Sequence, residues 1–165
     1  MKLIHIPYTV PSSKNGRQLT KGGIFIASKA TQIYRKKTSG YWKHLKNEFL
    51  AMCKDKPRPL MVGFHFVRQT RHAWDFPNPL QTIFDEMTKH GWLPDDNVHE
   101  IFPVPLLIND RYWTLNKKHA GVYIAVLDNT CQTNIELKDL THDGSTKVRV
   151  RTTNSGPKPK TTKRG

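Results

Sequence analysis

The sequence predicts an α+β domain: a mixed sheet with a long helix and a shorter helix packed on it. Three observations carry this. Apolar segments of strand length recur at residues 2–10, 60–67 and 121–127. Two segments of helical period lie between them, over about 28–54 and 79–90. The resulting order, β-β-α-β-α-β-β, mixes strands and helices without the strict alternation of a doubly wound fold.

Residues 2–10 alternate through Leu3, Ile4, Ile6, Tyr8 and Val10, as a half-buried strand does. Pro11-Ser12-Ser13-Lys14-Asn15-Gly16-Arg17 is a polar loop with turn chemistry, and Gly22-Gly23 followed by Ile24-Phe25-Ile26 suggests a short second strand. Ser28 is placed to cap the long helix, which runs to about Lys54 and is expected to break or bend near Ser39-Gly40. Its apolar positions are Ile33, Tyr34, Tyr41, Trp42, Leu45, Phe49 and Leu50, and Arg35, Lys36, Lys37, Lys43 and Lys46 give it a basic side. Pro57 and Pro59 end that element, and residues 60–67 read as a buried strand. For the shorter helix, Asn78 suits the N-cap, Pro79 the first helical position and Gly91 the C-terminal cap, with Leu80, Ile83, Phe84 and Met87 on one face. Residues 98–108 read as an edge strand, because Pro103 and Pro105 cannot donate to a ladder. Residues 121–127 supply the last core strand, and the domain is expected to end near 128. Residues 129–165 are expected to form a basic, largely disordered tail, since 147–165 carry seven cations and no acid.

Charge narrows the function classes. The chain has 27 Lys and Arg against 13 Asp and Glu, a net charge of +14 in 165 residues. Such an imbalance is self-repulsive in a compact state and points to a polyanionic partner, of which nucleic acid is the leading candidate. The chain shows neither a signal-peptide pattern nor an apolar run long enough to span a bilayer. Cys53 and Cys131 are two scattered thiols, consistent with a reducing cytoplasmic setting, and the eight histidines form no zinc-ligand pattern.

Against that background six of the thirteen acids fall within 75–100: Asp75, Asp85, Glu86, Asp95, Asp96 and Glu100. Adjacent carboxylates such as Asp95-Asp96 repel unless cations neutralise them, and Mg²⁺ takes carboxylate oxygens readily. A twelve-residue helix is about 18 Å long, and four extended residues after it return about 13 Å, which brings Asp95 or Asp96 back toward Asp85 and Gln81. Two readings fit this spacing. One is a metal site. The other gives Asp75 and Asn78 turn and capping roles and leaves Asp95-Asp96 in a solvated turn. Trp74 and Trp92 flank the acids and suit packing, with stacking on an unpaired base as the alternative.

The stretch Asp75-Phe-Pro-Asn78-Pro-Leu-Gln81-Thr-Ile-Phe-Asp85, followed by Gly91 and Asp95-Asp96, resembles the RusA-like family of Holliday-junction resolvases. The family pattern is D-x-D-N-x-x-K-x-x-x-D, then a glycine and D-D, and the matched positions align without a gap. Pro11-Ser12-Ser13-Lys14-Asn15 is similar to the family's Pro-x-Ser-x-Asn loop. The resemblance covers residues 1–128 and suggests a diverged phage- or prophage-type branch. It implies a homodimeric, Mg²⁺-dependent endonuclease (Mn²⁺ being a possible substitute) that cleaves four-way junctions or related branched DNA. It further implies Asp75, Asp85, Asp95, Asp96 and Asn78 as metal ligands, with Asp75, Asp96 and Gln81 as the catalytic positions. Lys14, Asn15, Arg17, Arg35, Lys36, Arg68 and Arg71 are the candidate DNA contacts. Two departures stand out: Pro77 replaces the family's second aspartate and Gln81 its lysine. These leave open a relative that binds DNA without cutting it, and beyond the resemblance an unrelated RNA- or protein-binding module.

Overall fold

A computed structural model describes residues 2–12, 17–19, 23 and 25–128, together with strands 135–138 and 147–150; at 17–19, 25 and in the last two strands it describes the backbone alone. The chain divides into two units, residues 1–128 and 129–165.

The first unit is a mixed five-stranded sheet with two helices. Its strands are β1 (Ile4–Pro7), β4 (Leu60–Arg68), β5 (Ile101–Pro105), β6 (Trp113–Leu115) and β7 (Gly121–Val126), and its helices are α1 (Lys29–Cys53) and α2 (Pro77–Lys89). The order is β1-β7-β4-β5, with β6 also on β4; β7 runs antiparallel to β1 and β4, whereas β5 and β6 run parallel to β4. A separate antiparallel pair joins β2 (Arg17–Leu19) to β3 (Phe25–Ala27). Period-two patterning explains which face is covered. Ile4 and Ile6 of β1, Leu60, Val62, Phe64 and Phe66 of β4, and Val122 and Ile124 of β7 share one core with side chains of both helices. His5, His65 and Tyr123 take the opposite face; His65 bonds the Leu106 carbonyl at 3.0 Å and the Thr114 hydroxyl at 3.1 Å, so it is a packed histidine.

Ser28 caps α1, its Oγ accepting from the Thr31 amide at 3.2 Å. The expected break at Ser39-Gly40 is absent, and the helix runs unbroken for 25 residues. Packing accounts for this: Thr38 donates to the Tyr34 carbonyl and accepts from Trp42 Nε1, and Trp42 is wholly buried. The cost of one helical glycine, about 1 kcal/mol, is small beside such burial. The buried stripe is Tyr34, Thr38, Trp42 and Phe49, while Ile33, Tyr41 and Leu50 remain exposed. The exposed flank carries Lys36, Lys37 and Lys43.

The start of α2 differs from expectation. Phe76 occupies the cap, Pro77 opens the helix, and Asn78 lies inside the first turn. Pro77 supplies a preset helical φ where an amide would lack a partner anyway. Asn78 directs its side chain to the Asp75 carboxylate instead of capping. The far end matches expectation. Gly91 has φ +70°, its amide bonds the Thr88 carbonyl, and the Trp92 amide bonds the Met87 carbonyl, the pairing of a Schellman motif. That turn drives Trp92 into the core, stacked on Phe49 at 4.8 Å and edge-on to Trp42 at 5.0 Å.

Four strands fall outside the sequence reading or amend it. β2 and β6 are only three residues each, too short for a periodicity signal. In the second unit, β8 (Ile135–Lys138) and β9 (Lys147–Val150) pair antiparallel with Ile135 opposite Val150. Both lie in the span read as a disordered tail, where the dominant cations obscure an apolar alternation at 135, 137, 148 and 150. Residues 151–165 lie outside the described residues.

Candidate functional site

The acidic positions are distributed over three places along α2 and its flanks. At the N-terminal end, Asp75 accepts from Asn78 Nδ2 at 3.1 Å, and the Asn78 amide bonds the Asp75 carbonyl at 3.1 Å. This is the local turn role that the sequence left open for the pair. In the turn after Trp92, Asp95 accepts from the Asp96 amide at 2.9 Å and from Asn97 Nδ2 at 2.8 Å. Those two bonds, the Asn97 one foremost, hold its carboxyl below the usual aspartate range.

The third place is a shallow open hollow lined by Arg35, Asp85, Thr88, Lys89 and Asp96. Asp85 projects from mid-α2 and Asp96 from the returning chain, so the expected return toward Asp85 occurs, with Asp96 and without Asp95. Arg35 crosses from α1: its Nη2 donates to Asp85 Oδ2 at 2.8 Å, and its Nε stands 2.9 Å from Glu86 Oε1. Glu86 is fully buried, and His90 Nε2 lies 3.5 Å from its other oxygen. Neither Glu86 oxygen is aligned for a straight hydrogen bond, so its stabilisation rests on Arg35's charge. Burial, with the Glu86 charge adding to it, pushes the neighbouring Tyr34 phenol upward, and burial pushes the His90 imidazole down. The sequence reading missed Glu86 as a structural charge, although its place within the stripe of Thr82, Ile83 and Met87 was a usable signal.

Among the described residues no three of His, Cys, Asp and Glu converge as a group that could hold a metal ion. The five metal candidates lie at three places: Asp75 with Asn78, Asp95 in the turn after Trp92, and Asp85 with Asp96 at the hollow. Two of them, Asp85 and Asp96, share the hollow. That fits the mode in which Mg²⁺ uses one or two carboxylates and completes its shell with water and substrate phosphate. Gln81 is exposed on α2.

A pocket that the sequence did not disclose lies at the other end of α2. It has a volume of about 210 Å³ and draws on five chain segments, with Ser12, Arg68, Trp74, Asn78 and Gly121 among its walls. Arg68 lies over the Trp74 ring at 4.9 Å, donates to the His72 carbonyl, and has its pKa lowered by burial. The Thr82 hydroxyl donates to the Pro11 carbonyl at 2.8 Å, tying the N-terminal loop to α2. Ser12 and Asn78, from the two separated stretches that carry the family resemblance, thus line one cavity. Of the cationic candidates, Arg35 is held by acids and Arg68 by Trp74, while Lys36 and Arg71 are exposed. Lys14 and Asn15 lie outside the described residues, and Arg17 is described in backbone only, within β2.

Compared with protein-family models and with curated proteins, the chain matches no family model and no curated relative significantly. Among the described residues, no helix is long and apolar enough to cross a membrane.

Proposed function

We propose that this chain acts on branched DNA as a Mg²⁺-dependent endonuclease of the RusA type, working as a homodimer in the cytoplasm. The observation that carries the reading is spatial. Ser12 and Asn78, from the two stretches whose motifs suggested the family, line one pocket in a protein of net charge +14. Neighbours in sequence need no explanation for sharing a pocket; segments more than sixty residues apart do.

The residues divide the work by charge. Lys36, Lys37 and Lys43 on α1, with Arg71, draw phosphates in and release counterions. Asp85 and Asp96 are the carboxylates that would hold Mg²⁺, and Asp75, bonded to the side chain of Asn78 in the wall of the neighbouring pocket, is a second acid near the backbone path. When bound, the ion supplies a water of lowered pKa and positive charge for the departing oxygen. Arg35, already between Asp85 and Glu86, is placed to exchange Asp85 for a phosphate oxygen as substrate arrives.

A second reading, a DNA-binding relative that does not cut, is favoured by Pro77, which opens α2 where the family has a metal-binding aspartate. One experiment separates the two. The full chain is incubated with a labelled four-way junction and with linear duplex, in Mg²⁺ or in EDTA. The nuclease reading expects paired incisions in the junction with Mg²⁺ only, lost in Asp75→Asn and Asp96→Asn while junction binding persists or tightens. Selective binding without incision, in Mg²⁺ and in Mn²⁺, selects the second reading. Equal affinity for junction and duplex refutes both.

A further inference from the structure

We propose that the pocket at the N-terminal end of α2 receives a single unpaired nucleobase from the branch point. The inference rests on the branched-DNA reading and adds to it the group by which a branch would be told from duplex.

Size comes first. At about 210 Å³ the cavity is smaller than the roughly 300–1,000 Å³ of ordinary ligand pockets and suits one flat ring system. Its walls supply both halves of base recognition. Trp74 and the Arg68 guanidinium over it offer the aromatic and cationic planes on which bases stack. Ser12 Oγ and the Asn78 amide offer hydrogen-bonding groups for a ring edge. Ser12 Oγ is also buried without a hydrogen-bond partner, and a buried hydroxyl left so is unfavourable until a ligand supplies one.

The pocket is held open before any ligand arrives. Phe66 meets the Trp74 ring edge-on at 5.4 Å, and Phe76 meets it tilted at 6.3 Å. Thr82 clamps the loop that carries Ser12. A fixed stacking plane loses little on binding. A base within a duplex must first be unstacked and unpaired, whereas a branch-point base is already loosened. The pocket therefore discriminates by the ease of extruding its ligand and not by reading a sequence. Trp74 and Asp75 are consecutive, so an inserted base brings its own sugar-phosphate close to an acid of the proposed site.

The test is an abasic scan. Four-way junctions lacking the base at each branch-point nucleotide in turn are titrated with the full wild-type chain and with Trp74→Leu, beside linear duplex. Stacking on one aromatic predicts that removing one particular base weakens wild-type binding about tenfold. Trp74→Leu should weaken binding to the intact junction by a similar factor and be indifferent to the abasic site. Should Trp74→Leu fail to fold, as judged by circular dichroism, Ser12→Val serves in its place with a partial loss in the same pattern. The proposal is overturned if every abasic junction binds within twofold of the intact one, or if the folded variant still loses tenfold at the same nucleotide. A wild-type chain that does not prefer the intact junction to duplex overturns the branched-DNA reading itself, and this inference with it.

Discussion

Replacing Arg35 with methionine isolates the most exposed weakness in the helix pair. The change keeps most of the side chain's length and apolar stem but removes the cation from Glu86, which is 0% exposed, and from Asp85, which is half exposed. The surface contact with Asp85 is worth little, at most about 1 kcal/mol. The Glu86 contact is different, because its loss strands a charge in the core, at about 3–5 kcal/mol when both partners are buried. Arg35 is itself about a third exposed, so water screens part of that interaction and the lower figure, about 3 kcal/mol, is the expectation. For a folded unit of 128 residues that corresponds to a fall in Tm of roughly 10 °C. The assay is urea unfolding of wild type, Arg35→Met, Glu86→Leu and the double variant at neutral pH. Because the desolvated pair is replaced by apolar groups, the double variant should recover most of the loss and leave a coupling of about 2 kcal/mol or more. An Arg35→Met variant within 1 kcal/mol of wild type, or no coupling in the cycle, would refute the reasoning.

Two further outcomes follow from the fold. Gly121→Ala should destabilise the protein by at least about 1–3 kcal/mol, since an added Cβ would stand 2.3 Å from the Ile6 carbonyl and 2.6 Å from His5 Nε2, and a strand backbone cannot move aside cheaply; a chemical melt unchanged within error would show that β1 yields. Stability should also fall with acid. His5 is held below its ordinary pKa by burial and by the nearby His119, and His90 by burial. The folded state therefore binds fewer protons than the unfolded chain, and stability present above about pH 6.5 is lost progressively as pH drops below it. His5→Phe, which keeps the stack on Tyr123 at 4.5 Å, should show a smaller decline between pH 7.5 and 5.5. A urea midpoint that is flat or rises toward pH 5.5 in wild type contradicts this.

The parts of the fold that were legible in the sequence are those with a strong local cause. Ser28 and Gly91 mark helix ends because the groups they satisfy are a few residues away, and β4 and β7 announce themselves by continuous apolar runs. Asn78 misled because a side chain able to cap can also bond a neighbouring carboxylate, and Asp75 was three residues off. The candidate site was half legible for a related reason. Chain length alone predicts that Asp95 or Asp96 returns toward Asp85, but not which of the two, nor that Arg35, fifty residues earlier, arrives between Asp85 and Glu86. The pocket beside Trp74 was invisible, since its walls come from five segments and no one of them has a distinctive pattern.

The two prolines of β5 bear on how copies of this protein can meet. The Leu60 amide bonds the Glu100 carbonyl and the Leu106 amide bonds the Phe64 carbonyl, so even-numbered residues around β5 turn toward β4. By the alternation of a strand, Pro103 and Pro105 occupy outward positions, where an unspent N–H would otherwise invite a further strand. Both of those hooks are missing. A growing stack of sheets, whether a fibril or a dimer joined strand to strand along β5, finds few donors there. Self-association through helices or loops stays open to the molecule while the route that leads to insoluble assemblies is blunted.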